Sequence, residues 1–144
     1  MLIFSIMLSP LIFAYNYYEL SVQKWESDNY KIHGLWPQVN ASSYPQNCLP
    51  VNFSSPTDEL YKEMNNNWSS CSNLNTSCSN LNLWKHEWVK HGSCVKKQNG
   101  YNEFDYFKKT LELFNDYNYL TSQCNKSECL LGCFTLNYTL FSCK

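Results

Sequence analysis

Residues 84–94 read Trp-Lys-His-Glu-Trp-Val-Lys-His-Gly-Ser-Cys, and this stretch decides how the rest of the chain is read. As an α-helix it places His86 and Lys90 one turn apart, and Glu87 and His91 likewise. Those four side chains cover an arc of about 140° at 3.6 residues per turn. Trp84 and Trp88 fall beyond the His91 edge of that arc, where they can pack into a core and fix the helix. The spacing predicts a helix over 84–94 that Gly92 ends, with Cys94 just past it as a covalent tie. A zinc helix carries its histidines four apart. Here His86 and His91 are five apart, about 140° around a uniform α-helix, so no metal site is expected.

Outward from this segment, strands and helices mix without a βαβ rhythm. Residues 17–25 alternate Tyr18, Leu20 and Val22 against Glu19, Ser21 and Gln23, the period of a half-buried strand. Residues 30–35 form a second strand candidate, closed by Pro37. Asn, Ser and Pro crowd residues 40–56, which reads as loop. Ser55-Pro56 suggests a helix start, with Leu60, Met64 and Trp68 on one face. Residues 71–83 read as a polar loop. Phe104, Phe107, Leu111 and Phe114 mark an amphipathic helix over 101–117. Residues 134–141 alternate like a strand. The fold class expected is α+β with a largely antiparallel sheet, in one domain over 15–144.

The first fourteen residues, MLIFSIMLSPLIFA, are too short to span a bilayer and read as a secretory leader, although no Lys or Arg stands near Met1; a buried N-terminal strand is the alternative. No later stretch is apolar enough to span a membrane. Eight cysteines, an even number in a small chain, fit a disulfide framework made in an oxidising compartment. Six N-x-S/T acceptors, at Asn40, Asn52, Asn67, Asn75, Asn125 and Asn137, are candidates for glycosylation. Together they predict export, to the extracellular space or to a lysosome or vacuole. The formal charge is −1 at pH 7. Below about pH 5 histidine protonation would make the chain net positive, which suits a polyanion in an acidic setting.

All three histidines lie in two segments, residues 31–38 (KIHGLWPQ) and 84–94. Cleaving RNA through its own 2′-hydroxyl requires a base, an acid and positive charge near phosphorus, and neither a metal nor a cofactor. Imidazole supplies acid and base, and Lys or protonated His supplies the charge.

The His33-Gly34-Leu35-Trp36-Pro37 motif and the Lys85–Cys94 motif, in that order, resemble the two catalytic motifs of the ribonuclease T2 family. Gln23-Lys24-Trp25, Tyr44-Pro45 through Cys48, Tyr106-Phe107, Leu111-Glu112-Leu113 and the Cys133–Cys143 segment extend the likeness over most of residues 15–144. The resemblance implies the family's fold, a central antiparallel sheet packed with helices, here shortened and disulfide-stapled. It also implies metal-independent cleavage of single-stranded RNA through a 2′,3′-cyclic phosphate by a monomer. His91 would be the base, His33 the acid, and His86 a phosphate ligand. Glu87 and Lys90 would stabilise the transition state, while Trp36 would hold His33 and line the site. Cys48 and Cys94 match a family pair, and Cys71 with Cys78 is a plausible local one. The other four cysteines can pair in three ways, of which Cys124–Cys143 with Cys129–Cys133 is expected here. Because the chain is shorter than the family pattern between Trp25 and His33 and after Leu120, a second reading stays open: a secreted binding or decoy protein on the same fold.

Overall fold

The computed structural model describes residues 15–27, 29–71 and 78–143; the expected leader and Asn75 lie outside them. Two strands open the fold, β1 (Tyr17–Lys24) and β2 (Tyr30–Gln38). Helices α1 (Asp58–Asn67), α2 (Asn80–Glu87), α3 (Ser93–Asn99) and α4 (Glu103–Tyr117) follow, with a π turn (Trp88–Gly92) joining α2 to α3. A short 3-10 segment leads into β3 (Glu128–Thr135) and β4 (Leu140–Phe141). The sheet is antiparallel throughout, in the order β2-β1-β3-β4, so the expected α+β architecture is found.

The alternation read in β1 is real: Tyr18, Leu20 and Val22 are fully buried. They meet Ile32 and Leu35 of β2, Met64 and Trp68 of the α1 region, Trp84 and Trp88, and Tyr106, Phe107 and Leu111 of α4 in one core. Strand β2 runs three residues beyond the expected end and passes through Pro37. It lies at the sheet edge, where a missing N–H costs no ladder bond. The same edge is sealed by aromatic donors. Trp68 Nε1 donates to the His33 carbonyl at 2.8 Å, and Tyr106 Oη donates to the Leu35 carbonyl at 2.9 Å.

Other expectations shift. Helix α1 begins at Asp58, with Thr57 rather than Ser55 as its N-cap residue. Asn80–Leu83, read as loop, is helical because the Ser79 side chain accepts the Asn82 N–H and starts α2 early. Helix α4 starts at Glu103, where Asn102 and Asp105 form a reciprocal capping box. Its first turn projects past the core, leaving Phe104 52% exposed while Phe107, Leu111 and Phe114 are buried. Residues 134–141 are not one strand. Thr135 ends β3, and the chain turns back through Tyr138 at φ 61° into β4. The strand missed by the reading is Glu128–Cys133, whose Cys and Gly content hides its period.

Two disulfides form as expected, Cys48–Cys94 and Cys71–Cys78. The other two are Cys124–Cys129 and Cys133–Cys143, not the pairing expected. Cys129 and Cys133 are four residues apart on one extended strand, about 13 Å at 3.3 Å per residue, too far for a disulfide. Among the described residues no cysteine is free, and no helix is long and apolar enough to cross a membrane.

Candidate active site

The 84–94 segment is helical, but it neither stands alone nor stops at Gly92. Helical backbone runs from Asn80 to Asn99 and ends at Gly100, whose φ of 73° is left-handed. Gly92 itself is right-handed helical. It is small for another reason: a Cβ there would strike the Trp88 ring. That ring is buried, and its Nε1 donates to the Asn52 carbonyl at 2.9 Å.

Within this run the Ser93 N–H reaches the Trp88 carbonyl, five residues back, which defines the π turn. One extra residue is absorbed in that turn. Residues five apart therefore lie closer to one face than the uniform-helix reading allowed, which corrects the 140° separation of His86 and His91. Among the described residues no group of three or more His, Cys, Asp or Glu side chains is arranged to hold a metal ion.

The first motif reaches the same place from β2. Ser21 and Val22 of β1 pair with Gly34 and Ile32, so His33 is the extra residue of a β-bulge, a device that re-aims a side chain. Trp36, two residues past Gly34, stands between two imidazoles. Its ring centroid is 5.1 Å from that of His33, edge to face, and 5.6 Å from that of His91. Trp36 Nε1 donates to Glu87 Oε2 at 2.9 Å. Gly34 lies under this contact, and a Cβ at its position would collide with both the Glu87 carboxyl and the Trp36 indole. The motif's glycine is thus fixed by close approach of strand to helix.

The loop after the first motif is fastened to the second. Asn47 N–H donates to the Lys90 carbonyl at 2.8 Å, Cys48 N–H to Ser93 Oγ at 3.0 Å, and Cys48 is bonded to Cys94. This loop carries Tyr44, whose ring lies 5.9 Å from His91 and 5.5 Å from Lys90 Nζ. Beside it a cleft of about 550 Å³ is lined by Gln46, Asn47, Asn82 and Lys85 together with His86 and Lys90.

The reactive face is less open than a solvated helix face. Glu87 is 1% and His91 4% exposed, while His86 stays exposed. Desolvation is the main cause that raises the Glu87 carboxyl to about 8; the Trp36 hydrogen bond and Lys90 oppose it, and Glu128 adds to it. Desolvation also drives the His91 imidazole down to about 3, helped by the charges of Lys90, His86 and His33. Among the described residues, His91 Nδ1 is buried with no hydrogen-bond partner. Burial, then Lys90 and His33, lowers His86. At pH 5 the site therefore holds a neutral buried imidazole and a neutral carboxylic acid.

All the expected residues, His33, Trp36, His86, Glu87, Lys90 and His91, are brought together. Three neighbours were not anticipated. Glu128 Oε1 lies 2.8 Å from His33 Nδ1 and accepts Ser21 Oγ at 3.1 Å; Tyr44 is the third. Glu128 carries no sequence signal, being one carboxylate in a cysteine-rich tail, and Ser21 reads only as the polar side of a strand. Tyr44 is visible as part of a likeness but not as a neighbour of His91.

The description "Ribonuclease T2 family" belongs to the family model that matches residues 11–127. Extracellular ribonuclease LE of Solanum lycopersicum is 39% identical over 98 residues, covering 65% of this chain and 40% of that protein. Ribonuclease DdI of Dictyostelium discoideum is 29% identical over 116 residues, covering 80% of this chain and 50% of that protein. The chain thus spans half or less of the length of these relatives. Among solved structures, the self-incompatibility associated SF11-RNase of Nicotiana alata aligns with a TM-score of 0.60 at 26% identity, over 74% of this chain and 60% of that one. Ribonuclease MC1 from bitter gourd seeds aligns at 0.53 and 26% identity, over 76% and 64%. A match over most of the residues, joined to this shared fold, places the chain in the ribonuclease T2 family.

Proposed function

We propose that the protein is an endoribonuclease that cleaves single-stranded RNA by transesterification through a 2′,3′-cyclic phosphate, without a metal ion. The observation that carries this reading is the meeting of His33 from β2 with His86, Glu87, Lys90 and His91 from one helical run, around Trp36. His91, neutral through burial, takes the 2′-hydroxyl proton as the 2′ oxygen attacks phosphorus. His33 gives its proton to the departing 5′ oxygen. In the second step the roles reverse: His33 takes a proton from water, and His91 returns one to the 2′ oxygen.

Around phosphorus, His86 and Lys90 supply positive charge. Protonated Glu87 donates a hydrogen bond to a phosphoryl oxygen, as a carboxylic acid kept neutral by burial can. An imidazole near 3 is a weak base, and the arriving phosphate corrects this, because an adjacent anion favours the imidazolium. The net positive charge expected of the protein below about pH 5 favours the polyanion as well. Export to the extracellular space or to an acidic vacuole or lysosome fits the paired cysteines. Of the candidate acceptors, Asn40, Asn52, Asn125 and Asn137 are exposed and Asn67 is half-buried. A monomer suffices, since the described chain supplies every group named.

The test is incubation of the oxidised protein with RNA at about pH 5 in EDTA, beside His91→Ala. The wild type is expected to leave 2′,3′-cyclic phosphate ends, and the variant to be slower by roughly 10²–10⁴-fold. A folded wild type that binds RNA or another partner without cleavage would replace this reading with the decoy one. Activity abolished by EDTA would restore the metal reading.

A further inference from the structure

We infer that Glu128 is a positioning residue for the reaction, holding the His33 ring so that Nδ1 carries a fixed proton and Nε2 is the atom that exchanges one with the substrate. The inference rests on the proposed role of His33 as acid. Its basis is geometry that runs across three strands. Two β-bulges flank the same residue of β1. On one side His33 is skipped in the pairing of Ser21 and Val22 with Gly34 and Ile32. On the other, Leu131 is skipped between Leu20↔Gly132 and Ser21↔Leu130.

Outer strands two spacings apart are separated by roughly 10 Å, a gap that His33 and Glu128 bridge directly because the residue between them is small. Ser21 is that residue. It also donates its hydroxyl to Glu128 Oε1, the oxygen that lies 2.8 Å from His33 Nδ1. Glu128 itself is set opposite Gln23 in the ladder, and its side chain is half exposed.

The rest of the His33 ring is also constrained. Its face or edge is fixed against Trp36, and its backbone carbonyl is held by Trp68. With Nδ1–H committed to Glu128, proton bookkeeping closes. The imidazolium carries one proton toward Glu128 and one on Nε2. The Nε2 proton passes to the 5′ oxygen as the P–O5′ bond breaks, leaving the neutral ring with Nδ1–H still bound. Water later returns a proton to the same Nε2. The carboxylate therefore selects the tautomer and orientation in both steps.

The variants Glu128→Ala and Glu128→Gln test this, because Gln keeps an acceptor oxygen and Ala does not. The tautomer of neutral His33 is read from ¹⁵N–¹H correlations, and kcat and KM are measured on a dinucleotide substrate. Wild type and Glu128→Gln should show Nδ1–H, while Glu128→Ala should lose this single tautomer. Glu128→Ala should lower kcat at least tenfold with KM changed less than threefold, and Glu128→Gln should recover most of that loss. An unchanged tautomer in Glu128→Ala, or a changed tautomer with unchanged kcat, would overturn the inference. A wild type that holds the Nδ1–H tautomer but cleaves nothing would instead overturn the proposed activity and the catalytic part of this role. The tautomer still decides whether Glu128 holds the ring.

Discussion

Burial of Glu87 and His91 makes a quantitative prediction about stability and pH. For Glu87 the folded value, about 8, lies above the ordinary 4.5. The folded state therefore holds a proton that the unfolded chain loses, and stability falls as pH rises from 4.5 to about 8. At about 1.4 kcal/mol per pH unit, that interval amounts to about 5 kcal/mol. His91 runs the other way. Its folded value, about 3, lies below the ordinary 6.5, so stability is present above 6.5 and falls as pH drops toward 3, again by about 5 kcal/mol.

Between pH 4.5 and 6.5 the two slopes cancel, and wild-type stability should be flat there. Single variants unmask them. Glu87→Gln mimics the protonated acid and can still accept the Trp36 N–H, so it should match the wild type at pH 4. Above pH 8 it should exceed the wild type by about 5 kcal/mol. His91→Gln should remove the acid limb and leave the alkaline one. Urea unfolding at intervals from pH 3 to 9 measures both. If the Glu87→Gln and wild-type curves stay parallel from pH 4.5 to 9, Glu87 ionises as an ordinary carboxylate, and the neutral-acid role falls with it.

Two further outcomes follow from the contacts that hold the site. Gly34→Ala places a methyl group against the Glu87 carboxyl and the Trp36 indole. RNA cleavage should drop at least tenfold, while the far-ultraviolet circular dichroism of the folded protein is kept; wild-type activity would show that the strand and helix can separate there. Removing Cys48–Cys94 as the double Ser variant opens a loop closed over a separation of 46 residues. It should cost about 4 kcal/mol in denaturant unfolding, and cleavage should fall even under conditions where the variant is folded, since both motifs lose their tie. A variant with full activity would mean that Asn47 and Ser93 suffice to hold the loop.

Much of the site was legible in residues alone. Three histidines in two short segments, with Glu and Lys at helical spacing, mark acid–base chemistry before any contact is known, because those residue types have few other reasons to cluster. The alternation in residues 17–25 gave β1 nearly to the residue, since burial on one face of a strand imposes period two. The α4 face was equally clear from Phe107, Leu111 and Phe114. Less was legible where local pattern and tertiary demand differ. Gly92 reads as a stop but serves the Trp88 ring, and Gly100, with open space around it and φ of 73°, is the real stop.

What the sequence by itself determined is the chemistry available and its order along the chain: His33 first, then His86, Glu87, Lys90 and His91. Tertiary structure alone decided how those groups are tuned and what accompanies them. Burial keeps the Glu87 carboxyl protonated and the His91 imidazole uncharged at pH 5, and solvation is a property of packed neighbours, which composition does not carry. The π turn brings His86 and His91 nearer to one face. Paired bulges around Ser21 deliver Glu128 to His33 from 95 residues away, and register between non-adjacent strands is set by the whole sheet. The same holds for the last two disulfides: spacing allowed three pairings, and one extended strand through Cys129 and Cys133 left no room for the pairing between them.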